Sequence, residues 1–360
     1  MSDIHTLIRP ELLAIKPFDA SRPGFANSVL LDANELPWES ACFNEIGLNR
    51  YIDEMFDPTL LAILSAYYET KPSQILLTRG SCEGIDLLVR AFCRPAQDAI
   101  MVCPPTFSIF AQCAMMQGAQ VQVVPLQAQQ GYTLNKALLL KSITDTTKLV
   151  FICTPNNPTG NLIPLEDIID IIEALQGKAM VVVDEAYMEF ANGKSAASLV
   201  EKYSNLVVLR TFSKAFGLAA LRCGALIAQA PLIQILTGMM MPFPFSLLTL
   251  QALKQALTKE KLAQMKQYIQ EIQTQRELFK QDLQRLPVVK QVWDSEGNFL
   301  FIQLKDGKTV LQACRDNAIL VRHFIGVKDY EDFLRVTVSL PSHNAIFTRA
   351  LASVTLTELV

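Results

Sequence analysis

The sequence has few of the residues that metal-binding and disulfide-linked proteins need. Only three of its 360 residues are histidine, and its eight cysteines include no Cys-x-x-Cys pair. This distribution offers no ligand spacing for zinc or haem. In a chain of this length it favours reduced, buried thiols over a disulfide framework. We therefore expect no bound metal ion.

A membrane-spanning segment is also missing from the sequence. The most apolar stretches, 149–153 and 180–183, have the length of strands, whereas a membrane helix needs about 20 apolar residues. The methionine-rich stretch 232–250 contains two prolines, and the first 20 residues hold charged side chains without an apolar core. The N-terminus therefore does not resemble a signal peptide. We expect a cytoplasmic protein that does not enter a membrane.

A strong excess of charge of one sign is absent as well. Lys and Arg number 32 against 35 Asp and Glu, which gives a net charge of −3. This balance provides no general attraction for nucleic acid or anionic lipid. Half of the residues are hydrophobic, which excludes a disordered chain. A single core normally serves no more than about 250–300 residues, so this length predicts two domains.

What the sequence does contain is an alternation of strand and helix patterns between about residues 74 and 230. Strands are predicted at 74–78, 98–103, 119–125, 148–153, 178–183 and 205–210. Helices are predicted at 84–93, 108–118 and 164–176. Apolar strands between helices are typical of a sheet that is covered on both faces. The sequence therefore predicts an α/β fold with a mostly parallel sheet.

The pattern changes after residue 246. Helical periodicity runs from 247 to about 286 without Gly or Pro, which predicts one long connecting helix. Strands at 298–304, 319–324 and 333–339 and helices at 309–317 and 342–352 follow. We therefore expect an N-terminal arm (1–30) that packs on the small domain, a large domain (31–246) and a smaller α+β domain (247–360).

The loops that follow the predicted parallel strands carry the candidate site, because ligands bind at the carboxyl ends of such strands. The segment 79–84 precedes a helix, and its small residues leave backbone N–H groups for a phosphate, although an ordinary helix cap would look the same. Phe107 can stack on a planar ligand or belong to the core. The loop 154–160 is rigid and polar. Asp184 follows a buried strand and needs a cationic partner, either in a structural ion pair or in a ligand.

Lys214 follows the next strand and is badly placed for a solvated surface charge. Partial burial near other cations keeps a lysine amine neutral and nucleophilic. Thr211, Ser213 and Arg222 suit a phosphate. Together these loops offer an imine-forming lysine, an acid for a pyridine nitrogen, a stacking ring and a phosphate cup, which is the set that pyridoxal 5'-phosphate requires.

Three motifs in this region are similar to those of a known family. They are NNPTG at 156–160, DEAY at 184–187, and SKAFGL at 213–218 followed by LRCG at 221–224. With these motifs the chain resembles the class II aminotransferases of fold type I, which depend on pyridoxal phosphate. Within that family it most resembles the histidinol-phosphate aminotransferases. The resemblance implies a seven-stranded-type sheet in the large domain and a homodimer with shared sites.

The resemblance also implies roles for individual residues. Lys214 would join the cofactor and move the proton, Asp184 would hold the ring nitrogen protonated, and Tyr187 would bind the ring oxygen. The residues implied in cofactor binding are Ser81, Cys82, Phe107, Asn157, Asp184, Tyr187, Thr211, Ser213, Lys214 and Arg222, with Tyr51 contributed by the partner subunit. Those implied in substrate binding are Phe18, Asn34, Asn157, Arg322 and Arg335. Phe18 stands where the family usually has a tyrosine that helps bind the substrate's phosphate.

The activity that the resemblance implies is amino transfer between L-histidinol phosphate and 2-oxoglutarate, in histidine biosynthesis. The products would be imidazole acetol phosphate and L-glutamate. Transamination of aromatic amino acids and decarboxylation of threonine phosphate are alternatives on the same scaffold. A regulator that binds the cofactor without catalysis is disfavoured, because no basic helix-turn-helix segment precedes the aminotransferase-like region.

Overall fold

Two β-sheets organise the part of the chain that the computed structural model describes, namely residues 29–31, 34, 58–241, 244–324 and 326–354. The strands are β1 (Val29–Leu31), β2 (Ile75–Thr78), β3 (Ala99–Val102), β4 (Gln120–Val123), β5 (Thr147–Cys153), β6 (Met180–Asp184), β7 (Leu206–Thr211), β8 (Gly224–Ile227), β9 (Val289–Val292), β10 (Phe299–Leu304), β11 (Ile319–His323) and β12 (Phe333–Thr337). The helices are α1 (Pro58–Tyr68), α2 (Ser81–Phe92), α3 (Ile109–Gln117), α4 (Lys136–Lys141), α5 (Leu165–Ala174), α6 (Ala230–Met239), α7 (Leu247–Ala256), α8 (Lys259–Gln284), α9 (Gly307–Asp316) and α10 (Pro341–Ala352).

The larger sheet has seven strands in the order β2-β8-β7-β6-β5-β3-β4. Its strand pairs are parallel except at β8, which runs antiparallel to β2 and β7. Side chains of β6 alternate between two separate cores, with Val181 and Val183 in one and Val182 in the other. Both faces of the sheet are therefore covered, as the apolar strands require, and the predicted mostly parallel α/β fold is confirmed.

The central strands end at the same level of this sheet. Cys153 at the end of β5 is the register partner of Asp184 at the end of β6, and Asp184 in turn is the partner of Leu209 in β7. Parallel strands in this register bring the loops that follow them to one edge. That edge is where the candidate site lies.

The smaller sheet has five strands in the order β1-β11-β12-β10-β9. It is antiparallel except that β1 runs parallel to β11. Strands β1, β8 and β9 were not predicted from the sequence. They span three or four residues each.

The prediction of one long connecting helix over 247–286 is wrong, because the chain forms two helices in this region. Helix α7 ends at Ala256 and α8 begins at Lys259. Between them Thr258 has extended backbone angles (φ −64°, ψ 151°), and its side chain accepts a hydrogen bond from the Lys261 N–H. This is an N-cap, so a threonine interrupts a pattern that contains neither Gly nor Pro.

Two general features concern the described residues only. None of their helices is both long and apolar enough to cross a membrane. No group of three or more His, Cys, Asp or Glu side chains among them could hold a metal ion.

Candidate active site

A cavity of about 1940 Å³ opens at the carboxyl ends of the central strands and extends to the smaller sheet. Most of the residues singled out in the sequence line it: Ser81, Cys82, Phe107, Asn157, Asp184, Tyr187, Thr211, Ser213, Lys214, Arg222, Arg322 and Arg335. The fold thus brings together side chains that lie more than 250 residues apart in the chain. Phe18 and Tyr51 lie outside the described residues.

Asp184 is a buried carboxyl that forms no ion pair with any of the described lysine or arginine side chains. Only 2% of the residue is exposed, and its Oδ1 accepts a hydrogen bond from the Ala186 N–H at 3.1 Å. Burial raises the pKa of Asp184 to about 7. In the described part of the chain no lysine or arginine forms an ion pair with it. The explanation of Asp184 as half of a structural ion pair is therefore excluded there, and its carboxyl is available to a cationic ligand in the cavity.

The structural ion pair belongs instead to the next residue. Glu185 accepts a hydrogen bond from Arg210 Nη1 at 2.7 Å, and both side chains are almost fully buried. Sequence reasoning did not identify this pair. Glu185 and Arg210 lie 25 residues apart on neighbouring strand ends, and no local pattern indicates that two charges so separated will meet.

Lys214 lies on the loop after β7, and buried aromatic residues hold this loop in place. Phe212 and Phe216 pack edge to face with ring centroids 5.0 Å apart. The Leu218 N–H donates to the Phe212 carbonyl at 3.0 Å, and Gly217 closes the turn with φ +64°. Lys214 Nζ lies 5.8 Å from the centre of the Tyr187 ring. A fixed loop therefore presents a half-buried amine to the cavity on the side of Tyr187.

One end of the cavity has the features of a phosphate cup. The N-cap of α2 is Gly80 (φ +75°), which offers no side chain to the first turn. A Cβ atom on Gly80 would come within 2.7 Å of Arg222 Nη2. A Cβ atom on Gly224 would come within 2.8 Å of the Gly80 carbonyl carbon and the Ser81 nitrogen. These two glycines let an arginine and strand β8 approach the helix N-terminus closely, where an anion is stabilised.

Two hydroxyls complete this end of the cavity. Thr211 and Ser213 are buried, and the Ser213 N–H donates to Thr211 Oγ1 at 3.2 Å. Arg222 Nη1 lies 3.5 Å from Ser213 Oγ and donates to the Ala219 carbonyl at 3.1 Å. The hydroxyls, the guanidinium and the helix N-terminus together can bind one phosphate group.

Tyr187 is a buried phenol that remains protonated. Burial raises its pKa to about 12, and Asn34 Nδ2 donates to its hydroxyl at 3.3 Å. Asn34 itself is held with φ +53°, because its N–H donates to Thr337 Oγ1 and its carbonyl accepts from Asn298 Nδ2. A neutral phenol in this position can donate a hydrogen bond to an oxygen atom in the cavity.

Arg335 projects from the smaller sheet towards the loops of the larger one. Its Nη1 donates to Asn157 Oδ1 at 2.5 Å, and its guanidinium carbon lies 5.4 Å from the centre of the Phe299 ring. Arg322 is its register partner across β11 and β12. Two guanidinium groups on neighbouring strands suit anionic groups of a substrate.

Aromatic residues that sequence reasoning did not identify form another wall of the cavity. Trp293 and Phe333 stack with ring centroids 5.6 Å apart, and Tyr330 and Tyr132 pack against them. All four residues line the cavity. They come from distant parts of the chain. Of the four, the sequence placed only Phe333 in a predicted element, the strand 333–339.

Comparison with known proteins agrees with this geometry. The aminotransferase class I and II family matches residues 43–349. A histidinol-phosphate aminotransferase of Xanthomonas euvesicatoria pv. vesicatoria (strain 85-10) is 39% identical over 353 residues, which cover 97% of each chain.

Two solved structures have a similar fold. A histidinol-phosphate aminotransferase from Sinorhizobium meliloti, in complex with pyridoxal-5'-phosphate, superposes with a TM-score of 0.82 at 20% identity over 96% of each chain. The L-threonine-O-3-phosphate decarboxylase of Porphyromonas gingivalis gives a TM-score of 0.72 at 23% identity, over 85% of this chain and 93% of that one. From the family match and the identity to its relatives, the chain belongs to the aminotransferase class I and II family.

Proposed function

We propose that this protein uses pyridoxal 5'-phosphate to transfer an amino group between L-histidinol phosphate and 2-oxoglutarate. The observation that carries the proposal is the arrangement of Asp184, Lys214 and the phosphate cup around one cavity, with Arg322 and Arg335 on its far side. Relatives 38–39% identical over most of the chain are named histidinol-phosphate aminotransferases.

The residues present fit this cofactor. A buried carboxyl with a raised pKa and no ion-pair partner among the described residues suits a protonated pyridine nitrogen. The cup at Gly80, Ser81 and Arg222 suits its phosphate. When bound, the cofactor supplies an electron-accepting ring for the negative charge that develops on the substrate's α-carbon.

The other parts of the reaction fall to side chains of this chain. Lys214 would hold the cofactor through Nζ and, once that amine is released, would move a proton to and from the substrate's α-carbon. The Asp184 carboxylate would keep a proton on the ring nitrogen. Tyr187 and Asn157 would hold the ring oxygen, and Phe107 would cover the ring. These roles are what the placement of the side chains supports.

On the substrate side, Arg322 and Arg335 would bind the two kinds of anion that the proposed reaction presents. Histidinol phosphate carries a phosphate and 2-oxoglutarate carries carboxylates, and a guanidinium pair can bind either group through paired hydrogen bonds. One binding site that accepts both substrates in turn is what a two-step transfer with a single cofactor requires.

Three further features belong to this proposal. We infer a homodimer in which Tyr51 and Phe18 complete the site, with Tyr51 reaching the partner subunit's cofactor phosphate. We infer a cytoplasmic location, as suits a biosynthetic enzyme. The division into an arm, a large domain and a small domain at residues 30 and 246 stays a prediction.

A substrate panel tests the proposal. The purified protein is loaded with pyridoxal phosphate and mixed with histidinol phosphate, phenylalanine, tyrosine or threonine phosphate, and conversion of the cofactor to its amine form is followed by absorbance. We expect histidinol phosphate to react fastest and 2-oxoglutarate to reverse the conversion. Release of carbon dioxide from threonine phosphate would contradict transamination.

One observation favours aromatic amino acids as a second candidate substrate class. The stacked pair Trp293 and Phe333, with Tyr330, lines the same cavity as Arg335. Such a wall can pack against an aromatic side chain while the arginine binds a carboxylate. Faster conversion by phenylalanine than by histidinol phosphate would move the assignment to this class.

A further inference from the structure

A buried ion-pair network lies directly behind Asp184. Arg210, near the end of β7, donates through Nη1 to Glu185 Oε2 at 2.7 Å and through Nη2 to Glu189 Oε1 at 2.5 Å. At most 5% of each of the three side chains is exposed. None of them is among the residues that line the cavity, so the network has no evident contact with substrate or cofactor.

Further contacts fix the geometry of the network. Ser195 Oγ donates to Glu185 Oε2 at 2.5 Å, and the Ala196 N–H donates to Oε1 at 2.7 Å. Arg210 Nη1 also lies 3.3 Å from Ser195 Oγ, and the guanidinium carbon lies 5.2 Å from the centre of the Tyr68 ring. Each oxygen of the Glu185 carboxylate therefore has a donor, which holds the side chain in one orientation.

Stability alone is a weak reason for such a network. Removing two charges from water is costly, and apolar residues of similar volume often stabilise a core equally well. The place of the pair in the chain suggests another reason. Glu185 directly follows Asp184, and Arg210 lies four residues before Lys214.

The Arg210–Glu185 pair also strengthens the pairing between β6 and β7, the strands that Asp184 and Lys214 end or follow. Asp184 is the register partner of Leu209, and the Glu185 N–H donates to the Leu209 carbonyl at 2.9 Å. The Arg210–Glu185 contact continues this ladder beyond the last backbone hydrogen bond. A shift between β6 and β7 would break it.

We propose that the Arg210–Glu185 ion pair is a positioning pair, which fixes Asp184 relative to Lys214 and sets the electrostatic potential at Asp184. This inference rests on the proposed function, because it assigns Asp184 and Lys214 to a bound pyridoxal phosphate. Neither Arg210 nor Glu185 is given a chemical step.

The charges around Asp184 indicate the direction of the effect. Besides burial, the negative charge of Glu185 raises the pKa of Asp184 and the positive charge of Arg210 lowers it. Among the described residues, Asp184 in turn adds to burial in raising the pKa values of Cys82, Cys153 and Tyr187. Removing the charge of Glu185 takes away the negative charge adjacent to Asp184, so protons on the cofactor's nitrogen atoms become less stable.

The test compares Glu185→Gln with Glu189→Gln in the protein loaded with pyridoxal phosphate. Both variants remove one carboxylate from Arg210, but only Glu185 adjoins Asp184. We expect Glu185→Gln to lower the pH midpoint of the bound cofactor's visible absorption band by about 0.5–1 pH unit and to weaken its visible circular dichroism, which reports the orientation of the cofactor. Glu189→Gln should lower the thermal midpoint of the cofactor-free protein and leave both spectroscopic properties unchanged.

Each outcome has one interpretation. If both variants lose stability equally and neither shifts the absorption midpoint, the pair is only structural and the inference is overturned. If Glu185→Gln does not fold, Arg210→Lys replaces it. That variant keeps the positive charge but cannot bridge two carboxylates, and an unchanged midpoint and dichroism would overturn the inference. If the unmodified protein develops no visible band with pyridoxal phosphate, the proposed function fails instead.

Discussion

Arg322 and Arg335 lie directly opposite each other on the antiparallel strands β11 and β12, and both line the cavity. Like charges in this relation destabilise a sheet unless something compensates them. For Arg335, Asn157 Oδ1 accepts a hydrogen bond from Nη1, and the Phe299 ring lies against the guanidinium. Both guanidinium groups are thereby held at the cavity, where the proposed binding of anionic substrates would place them.

Replacing Arg335 should therefore weaken substrate binding and leave the cofactor in place. We expect Arg335→Lys to raise the KM for both substrates about tenfold or more, because a lysine keeps the charge but loses the paired hydrogen bonds. Steady-state kinetics with the cofactor's absorbance as a second measurement checks this. Arg349→Ala, at an exposed residue of α10, is the control and should leave KM unchanged.

Lys214→Ala should abolish transamination. The variant loses the amine that attaches to the cofactor and moves the proton, and loss of positioned acid–base catalysis alone costs about 10²–10⁴-fold in rate. The visible band of the attached cofactor should disappear in the same protein. Lys178→Ala, at an exposed residue outside the cavity, should retain both. An active Lys214→Ala variant would remove this lysine from the proposed mechanism.

The cofactor-free protein should show the cost of burying Asp184 in its pH dependence. Burial raises the folded-state pKa of Asp184 to about 7, above the ordinary aspartate value of 3.8, so the folded state holds this proton more tightly than the unfolded state. Stability from this group is full below about pH 4 and is lost as the pH rises through about 7.

Asp184→Asn, which cannot ionise, should lack this loss. We expect the free energy of unfolding of Asp184→Asn minus that of the unmodified protein to rise by about 3–4 kcal/mol from pH 4 to pH 8. Denaturant titrations of both cofactor-free proteins at several pH values measure this difference. A constant difference across that range would show that the Asp184 pKa is not raised. With cofactor present, Asp184→Asn should bind pyridoxal phosphate more weakly and turn over more slowly.

Gly80→Ala should disrupt the phosphate cup for two reasons. Alanine is strained at φ +75°, and its Cβ would meet Arg222 Nη2 at 2.7 Å. We expect the dissociation constant for pyridoxal phosphate to rise about tenfold or more, because displacing the guanidinium removes a charge-assisted contact.

Gly131→Ala is the matched control for this variant. Gly131 also has a positive φ (+62°), but nothing lies within 4 Å of an added Cβ. The Gly131→Ala variant should bind pyridoxal phosphate with unchanged affinity. Its free energy of unfolding should fall only by the cost of the strained backbone. Equal loss of affinity in both variants would mean that strain, and not the contact with Arg222, sets the effect.

The amino-acid sequence by itself determined the α/β fold class, most strands of both sheets and most of the predicted residues that line the cavity. Apolar strands alternating with helices leave few other arrangements, and the ends of parallel strands must meet at one edge. Local patterns failed where the deciding feature was small. A single capping threonine, Thr258, divides the expected long helix into α7 and α8, and the four-residue strand β8 was not predicted.

Only the tertiary structure decided which acidic residue is paired. The sequence required a cationic partner for a carboxylate after β6, and it could not tell a structural ion pair from a ligand. In the fold, Arg210 lies on the neighbouring strand and forms an ion pair with Glu185. Asp184, one residue before Glu185, lines the cavity instead. The same holds for Arg322 and Arg335, whose pairing depends on the register of β11 and β12. Contacts between distant strand ends depend on register and burial, which the packing of the whole chain sets and no local segment encodes.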